Sequence, residues 1–287
     1  MKNDPSFVVQ GSVFRFAFGD TVLAVDAAQA GRITEFSLGG GNILTRAQSP
    51  GQNNWGSTFW TSPQSDWGWP PPVEIDPGPY AIQVVGGSLV LASAVAPGLG
   101  LAVSKRFSVD ASRGAVNIEY GIANRGSVPR AAAPWEISRV AAGGLTFFPM
   151  GEGQPWKGPQ ELLPLQISEG VAWLASETVA APNDQKVFAD GREGWLAHVA
   201  GDLLLVKAFA DTTPAQAAPG EAEIELYTDP GRTYVEVENQ GAYARLEPGQ
   251  ASTWPVRWFL RKLEAQVSRQ PGSKGLLAMV RRVVNEE

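Results

Sequence analysis

Short runs in which apolar and polar residues alternate recur along almost the whole chain: SVFRFAF, TVLAVDA, RITEFSL, LAVSKRFSV, AVNIEYGIAN, AEIELYT and TYVEVEN are examples. Gly, Pro, Asn and Asp punctuate them. A period of two puts alternate side chains on opposite faces of a strand, and a helix cannot use that pattern to bury one face. Runs this dense, separated by turn residues, predict an all-β sandwich or barrel of antiparallel strands. No linker, low-complexity tract or repeat divides the 287 residues, so the expectation is one domain over 1–287. At the C-terminus the pattern changes. Ser273 reads as an N-cap followed by Leu276, Leu277, Val280 and Val283, which predicts a short helix over about 273–284 with Lys274, Arg281 and Arg282 on its wet face.

Composition narrows the function classes. Hydrophobic residues make up 44%, enough for a sizeable core, and the formal net charge is −6 with 18% charged residues and no basic block. A phosphate-tracking surface needs the opposite balance, so no nucleic-acid partner is expected. No stretch approaches the roughly 20 apolar residues of a membrane span, and the opening MKNDPSFVVQGS lacks the apolar core of a signal peptide. The expectation is a cytoplasmic protein with no membrane partner, or a periplasmic one if the N-terminus was trimmed. With no Cys and a single His, His198, neither a thiolate site nor a poly-histidine metal site can form, and neither metal nor cofactor is expected.

One stretch resists the strand reading. NNWGSTFWTSPQSDWGWPPP, residues 53–72, carries Trp55, Trp60, Trp67 and Trp69 among Gly, Ser and Pro, with Gln64 and Asp66 between them. Indoles in a loop either plug a core or line a site, and a sugar offers flat C–H faces for indoles and hydroxyls for polar groups at the rim.

Three stretches, GRITEFSLGGGNIL (31–44), AVNIEYGIANRGSVPRAAAPWE (115–136) and YVEVENQGAYARLEPGQASTWPVRWFL (234–260), resemble in order and spacing the aldose 1-epimerase, or galactose mutarotase-like, superfamily. The likeness is nearest to a branch with a Trp-Pro-rich loop like 60–72 and without the family's catalytic His. It implies a large antiparallel β-sandwich, the family's supersandwich, and a cleft that binds or epimerises a sugar with a Glu as general base and a His as general acid. Glu238 falls where that base sits; where the His belongs, the chain reads Ala133, Pro134, Trp135, Glu136.

The residues themselves leave alternatives open. Glu236 and Glu238 share a strand face with Tyr234, as a solvated face or as a site. Glu136 and Arg139 lie on opposite faces of a regular strand; Glu136 either faces water or replaces the missing acid in a carboxylate pair with Glu238. Lys186 and Lys207 are candidate anchors for an anionic sugar, or solvated strand lysines. His198, in an apolar strand, is a hydrogen-bonded structural residue or a proton donor. Catalysis is thus expected from Glu238, Glu136, Glu236 or Lys186. Binding is expected from Trp55, Trp60, Gln64, Asp66, Trp67, Trp69, Trp135, Arg139, Lys207 and His198. The functions compatible with this set are an epimerase, a glycosidase- or lyase-like enzyme, a non-catalytic carbohydrate-binding module, and a structural protein that forms oligomers of a size the sequence leaves open.

Overall fold

The computed structural model describes residues 7–49, 51–178 and 183–285. Two large sheets contain nearly all of the strands. The first has 12 strands, and its centre runs Arg32–Leu38, Ser57–Ser62, Arg130–Ala141, Tyr234–Gln240, Ile224–Thr228, Gln185–Ala189. The second has 10, with Leu203–Phe209, Ala251–Lys262, Ala115–Asn124 and Leu101–Asp110 adjacent at its centre. Neighbours are antiparallel except at one edge, where Glu161–Leu162 runs parallel to Gln185–Ala189. The expected all-β sandwich is therefore present.

Alternation explains the layers. In Ala115–Asn124, Val116, Ile118, Tyr120 and Ile122 are buried between the sheets, while Glu119 is exposed on the outer face. The outer face of the second sheet is apolar around Phe147, Trp173, Trp195 and Val206, and needs a cover. The helix Lys274–Asn285 supplies it by setting Leu276, Leu277, Val280 and Val283 against that face. Ser273 Oγ accepts the amide of Leu276 at 3.3 Å, the cap the sequence predicted. Arg281 does not stand free on the wet face: it pairs with Glu193 at 2.9 Å.

The first sheet has both faces occupied at its centre. Arg130–Ala141 is buried for nine consecutive residues, Ala132 to Val140. One face meets the second sheet. The other carries the cluster described next.

Candidate functional site

Five adjacent strands assemble the cluster by register. Trp60 lies directly across from Trp135, Arg139 from Glu236, Glu225 from Glu238, and Lys186 from Tyr227. Directly opposed residues share a face, so one side of the first sheet collects these side chains although they are far apart in sequence. The 53–72 stretch is not all loop: Ser57–Ser62, with Trp60, is itself one of these strands, and the residues that follow it bring Gln64 and Trp69 to this side. Trp60 packs edge-on against Trp67, Trp69 and Trp135, with centroid distances of 5.6, 5.9 and 5.4 Å.

A pocket of about 210 Å³ opens here. Trp60, Trp69 and Trp135 give it an aromatic wall, and Lys186, Glu236, Tyr227 and Asp184 give it a polar one. Gln64, Asn54 and Gln160 complete the lining. The oxygens Asn54 Oδ1 and Gln160 Oε1 are buried and have no hydrogen-bond partner among the described residues. Buried amide oxygens are seldom left unpaired, so two residues of the pocket lining hold acceptors that lack a donor.

Beneath the floor lies a charge network. Lys186 Nζ is 2.6 Å from Glu225 and 3.6 Å from Glu238, and sits 5.3 Å over the Trp135 ring. The Trp135 indole donates to Glu238 Oε2 at 2.7 Å, and Gln240 donates to Glu225 at 2.6 Å. Arg139 pairs with Glu236 at 2.8 Å, donates to Thr58 and lies over the Trp60 ring. Glu225, Glu236 and Glu238 thus carry one more acidic group than Lys186 and Arg139 can neutralise.

Burial decides where the excess is removed. It pushes Glu238 up to about 7, against the pull of Lys186 and with help from Glu236, and it pushes Glu225 well above the usual carboxylate range. Burial also works against the charge on Lys186, but Glu225 and Glu238 more than offset it and keep the ammonium protonated. Burial thus biases both members of the Glu225–Glu238 pair toward keeping a proton near neutrality.

The structure brings together Trp60, Trp69, Trp135, Gln64, Lys186 and Glu236 on the pocket wall, with Glu238 and Arg139 behind it. Glu238 is 0% exposed, and of the two glutamates of that strand face the one that reaches the pocket is Glu236. Trp55 stands apart from the lining: its ring lies 4.9 Å from the Arg32 guanidinium and its indole donates to Gln52. Trp67 buttresses Trp60 and donates to the Thr61 carbonyl. Asp66 is exposed on a short turn, away from the lining.

Three candidates face the other way. Glu136 points between the sheets, where Tyr120 donates to it at 2.6 Å, Trp258 at 3.1 Å, and Lys207 pairs with it at 2.9 Å. Its register partner is Asn239, not Glu238, so the two carboxylates occupy opposite faces and do not meet across one cleft. Lys207 also donates to Val237 and Asn239, leaving no anchor for a ligand from solvent. His198 is buried, with Nδ1 2.9 Å from Thr146, and burial together with Lys207 lowers it to about 3. It is neutral at ordinary pH and outside the pocket lining.

Glu225 and Tyr227 were missed by the sequence reading, although AEIELYT shows the same alternation as YVEVEN. Asn54, Gln160 and Asp184 come from loops and a strand edge, where only the fold could place them. Among the described residues no group of His, Cys, Asp and Glu converges as a metal-ligand set.

Several solved structures are similar to this chain in fold. A galactose mutarotase-like protein from Lactobacillus casei is 9% identical at a TM-score of 0.62, covering 87% of this chain and 100% of that one. A second, from Clostridium acetobutylicum, is 11% identical at 0.58, covering 91% and 100%. A candidate aldose 1-epimerase from Escherichia coli K12 is 12% identical at 0.54, covering 88% and 99%. The fold is that of the galactose mutarotase-like proteins. Within it, residues 68–261 match the model of a domain of unknown function, DUF4380, and the chain belongs to that family. No curated protein sequence matches the chain. No described helix is long and apolar enough to cross a membrane.

Proposed function

We propose that this protein binds a carbohydrate in the pocket walled by Trp60, Trp69 and Trp135. The observation that carries the reading is the pairing of indole faces with unpartnered amide oxygens in one cavity. A sugar ring has both complements, C–H faces and hydroxyl donors, and an apolar ligand would leave Asn54 Oδ1 and Gln160 Oε1 unsatisfied. At about 210 Å³ the pocket lies below the roughly 300–1,000 Å³ of drug-sized sites, which fits a single sugar ring.

A second reading, aldose epimerisation, is favoured by the retained proton beside Lys186. Ring opening removes the proton of the anomeric hydroxyl, delivers one to the ring oxygen, breaks the bond between the anomeric carbon and that oxygen, and leaves a carbonyl. In this reading Glu236, which reaches the pocket, takes the first proton, and Lys186 gives the second and regains it from the Glu225–Glu238 pair. Glu238, the expected base, acts here from behind Lys186.

Calorimetric titration with a panel of neutral, acidic and phosphorylated sugars tests binding. Trp69→Ala should weaken any sugar that binds by roughly 1–3 kcal/mol, taking stacking of nucleobases on aromatics as the analogue, with an unchanged Tm because the ring is 56% exposed. Full affinity in that variant, or no sugar bound by the wild type, overturns the assignment. Polarimetry on the bound sugar separates the two readings: no acceleration of mutarotation leaves a binding module.

A further inference from the structure

A second cavity, of about 280 Å³, has a lining of its own and is tied to the first by two connections. The segment that contributes Gln160 to the first pocket contributes Trp156 to the second. Glu221, in the second, accepts the backbone amide of Gln64, in the first, at 3.0 Å. An aromatic path also joins them. Trp156 stacks on Phe188 at 5.8 Å with the planes 14° apart, and the Lys186 ammonium that lies over Trp135 also lies 4.9 Å from the Phe188 ring.

The lining of this cavity is unlike a core defect. Trp156 lines this cavity and is 41% exposed although it stacks on Phe188, so much of a broad apolar ring stays open to solvent. Pro214 and Pro219 add apolar surface. Against them stand Asp190 and Glu223, both buried. Glu223 Oε1 accepts the amide and hydroxyl of Thr212, but Oε2 has no partner among the described residues. A carboxylate buried to 3% exposure with one oxygen unpaired lacks a donor, and Glu223 and Trp156 line the same cavity.

We infer that this cavity is a second sugar subsite, and that the ligand is at least a disaccharide whose next ring stacks on Trp156 and donates hydroxyls to Asp190 and Glu223. The inference rests on the carbohydrate reading of the first pocket. Burial raises Glu223 to about 7, with Asp211 and Asp190 adding to it, so near neutrality this carboxyl can donate to a ring or glycosidic oxygen as well as accept.

The test compares a monosaccharide with its disaccharides on the intact protein. For whichever of glucose or galactose binds, its affinity and those of maltose, cellobiose and lactose are measured by calorimetry in the wild type, Trp156→Ala and Asp190→Asn. The expected result is a disaccharide that binds more tightly than its monosaccharide. That advantage should fall about tenfold in Trp156→Ala and by a smaller factor in Asp190→Asn, with the monosaccharide unchanged within about twofold. Equal affinity for mono- and disaccharides in the wild type, or equal losses for both in Trp156→Ala, overturns the subsite while leaving the first pocket standing. A monosaccharide that no variant of the first pocket weakens overturns both.

Discussion

The indole of Trp60 donates to Asp76 Oδ2 at 3.0 Å, and the other oxygen of that carboxylate holds the buried Arg32 at 2.8 Å. The pocket's central ring is thus fixed from behind by an ion pair whose two members are 1% and 2% exposed. Arg32 also donates to the carbonyls of Asn53 and Trp55, tying the loop that carries the indoles to the Arg32–Leu38 strand.

Removing the carboxylate leaves Arg32 as an uncompensated buried charge, whose cost exceeds whatever the intact pair contributes. Asp76→Ala is expected to lower stability by about 3–5 kcal/mol. Urea denaturation with an unchanged m-value checks this; a loss under about 1 kcal/mol would show that water reaches Arg32.

Trp60 and Trp69 should behave differently. The loop composition alone predicts that Trp60→Ala weakens a ligand and spares the melting temperature, but Trp60 is 4% exposed and touches indoles on several sides. Trp60→Ala is therefore expected to cost roughly 3–5 kcal/mol of stability as well as affinity. Trp69→Ala should leave the thermal midpoint within a degree or two of wild type, given about 0.5 kcal/mol or less for exposed positions. Paired thermal scans and titrations distinguish core plug from stacking platform for each ring.

The strand pattern and the helix cap were legible because each depends on residues near one another in the chain. The faces of Lys207 and Glu136 were not. A polar residue in an alternating strand reads as solvent-facing only if one face is wet, and the central strands here have neither face wet. Leu203–Phe209 has the first sheet on one side and the helix on the other. Arg130–Ala141 has the second sheet on one side and the Trp60 cluster on the other. Whether Glu136 meets Glu238 depends on the register between strands about a hundred residues apart, which no local pattern encodes. Glu236 and Glu238 were found because their shared face follows from spacing alone. Which of them reaches the pocket was not, since that depends on Lys186 and Trp135 covering Glu238.

Lys105 provides a test of the interior away from the pocket. It is fully buried, donates to the Gly31 carbonyl, and is lowered to about 7 by burial, against the favourable charges of Asp76 and Glu136. Between about pH 7 and the usual lysine value of 10.5 the unfolded chain binds a proton that the folded one does not, so this residue makes stability rise with pH across that window. Lys105→Met should flatten the rise while leaving stability at pH 9 to 10 within about 1.5 kcal/mol of wild type, because the aliphatic stem is kept. Denaturation midpoints measured from pH 7 to 10 in both proteins decide it; parallel curves would show that Lys105 is charged throughout.

Glu238 links the pocket's electrostatics to its chemistry. Its folded value of about 7 lies above the usual 4.5, so between those values the folded state binds more protons than the unfolded one, and the residue makes stability fall as pH rises through the window. Glu238→Gln removes that titration and the excess negative charge while keeping the side chain's shape and an oxygen for the Trp135 indole. The variant should gain on wild type by on the order of 1–3 kcal/mol between pH 5 and 7.5, as read from the difference between their stability curves, which cancels the contributions of Glu223 and His198. Sugar affinity should stay within about tenfold, because Glu238 lies behind Lys186 and does not line the pocket. Turnover, if the wild type accelerates mutarotation, should collapse in Glu238→Gln and in Glu236→Gln, since the first loses the proton reserve and the second the base. His198→Asn should change it little, as that ring is neutral, bonded to Thr146 and shut between the sheets. Activity abolished by His198→Asn and retained in Glu238→Gln would reverse the assignment of both residues.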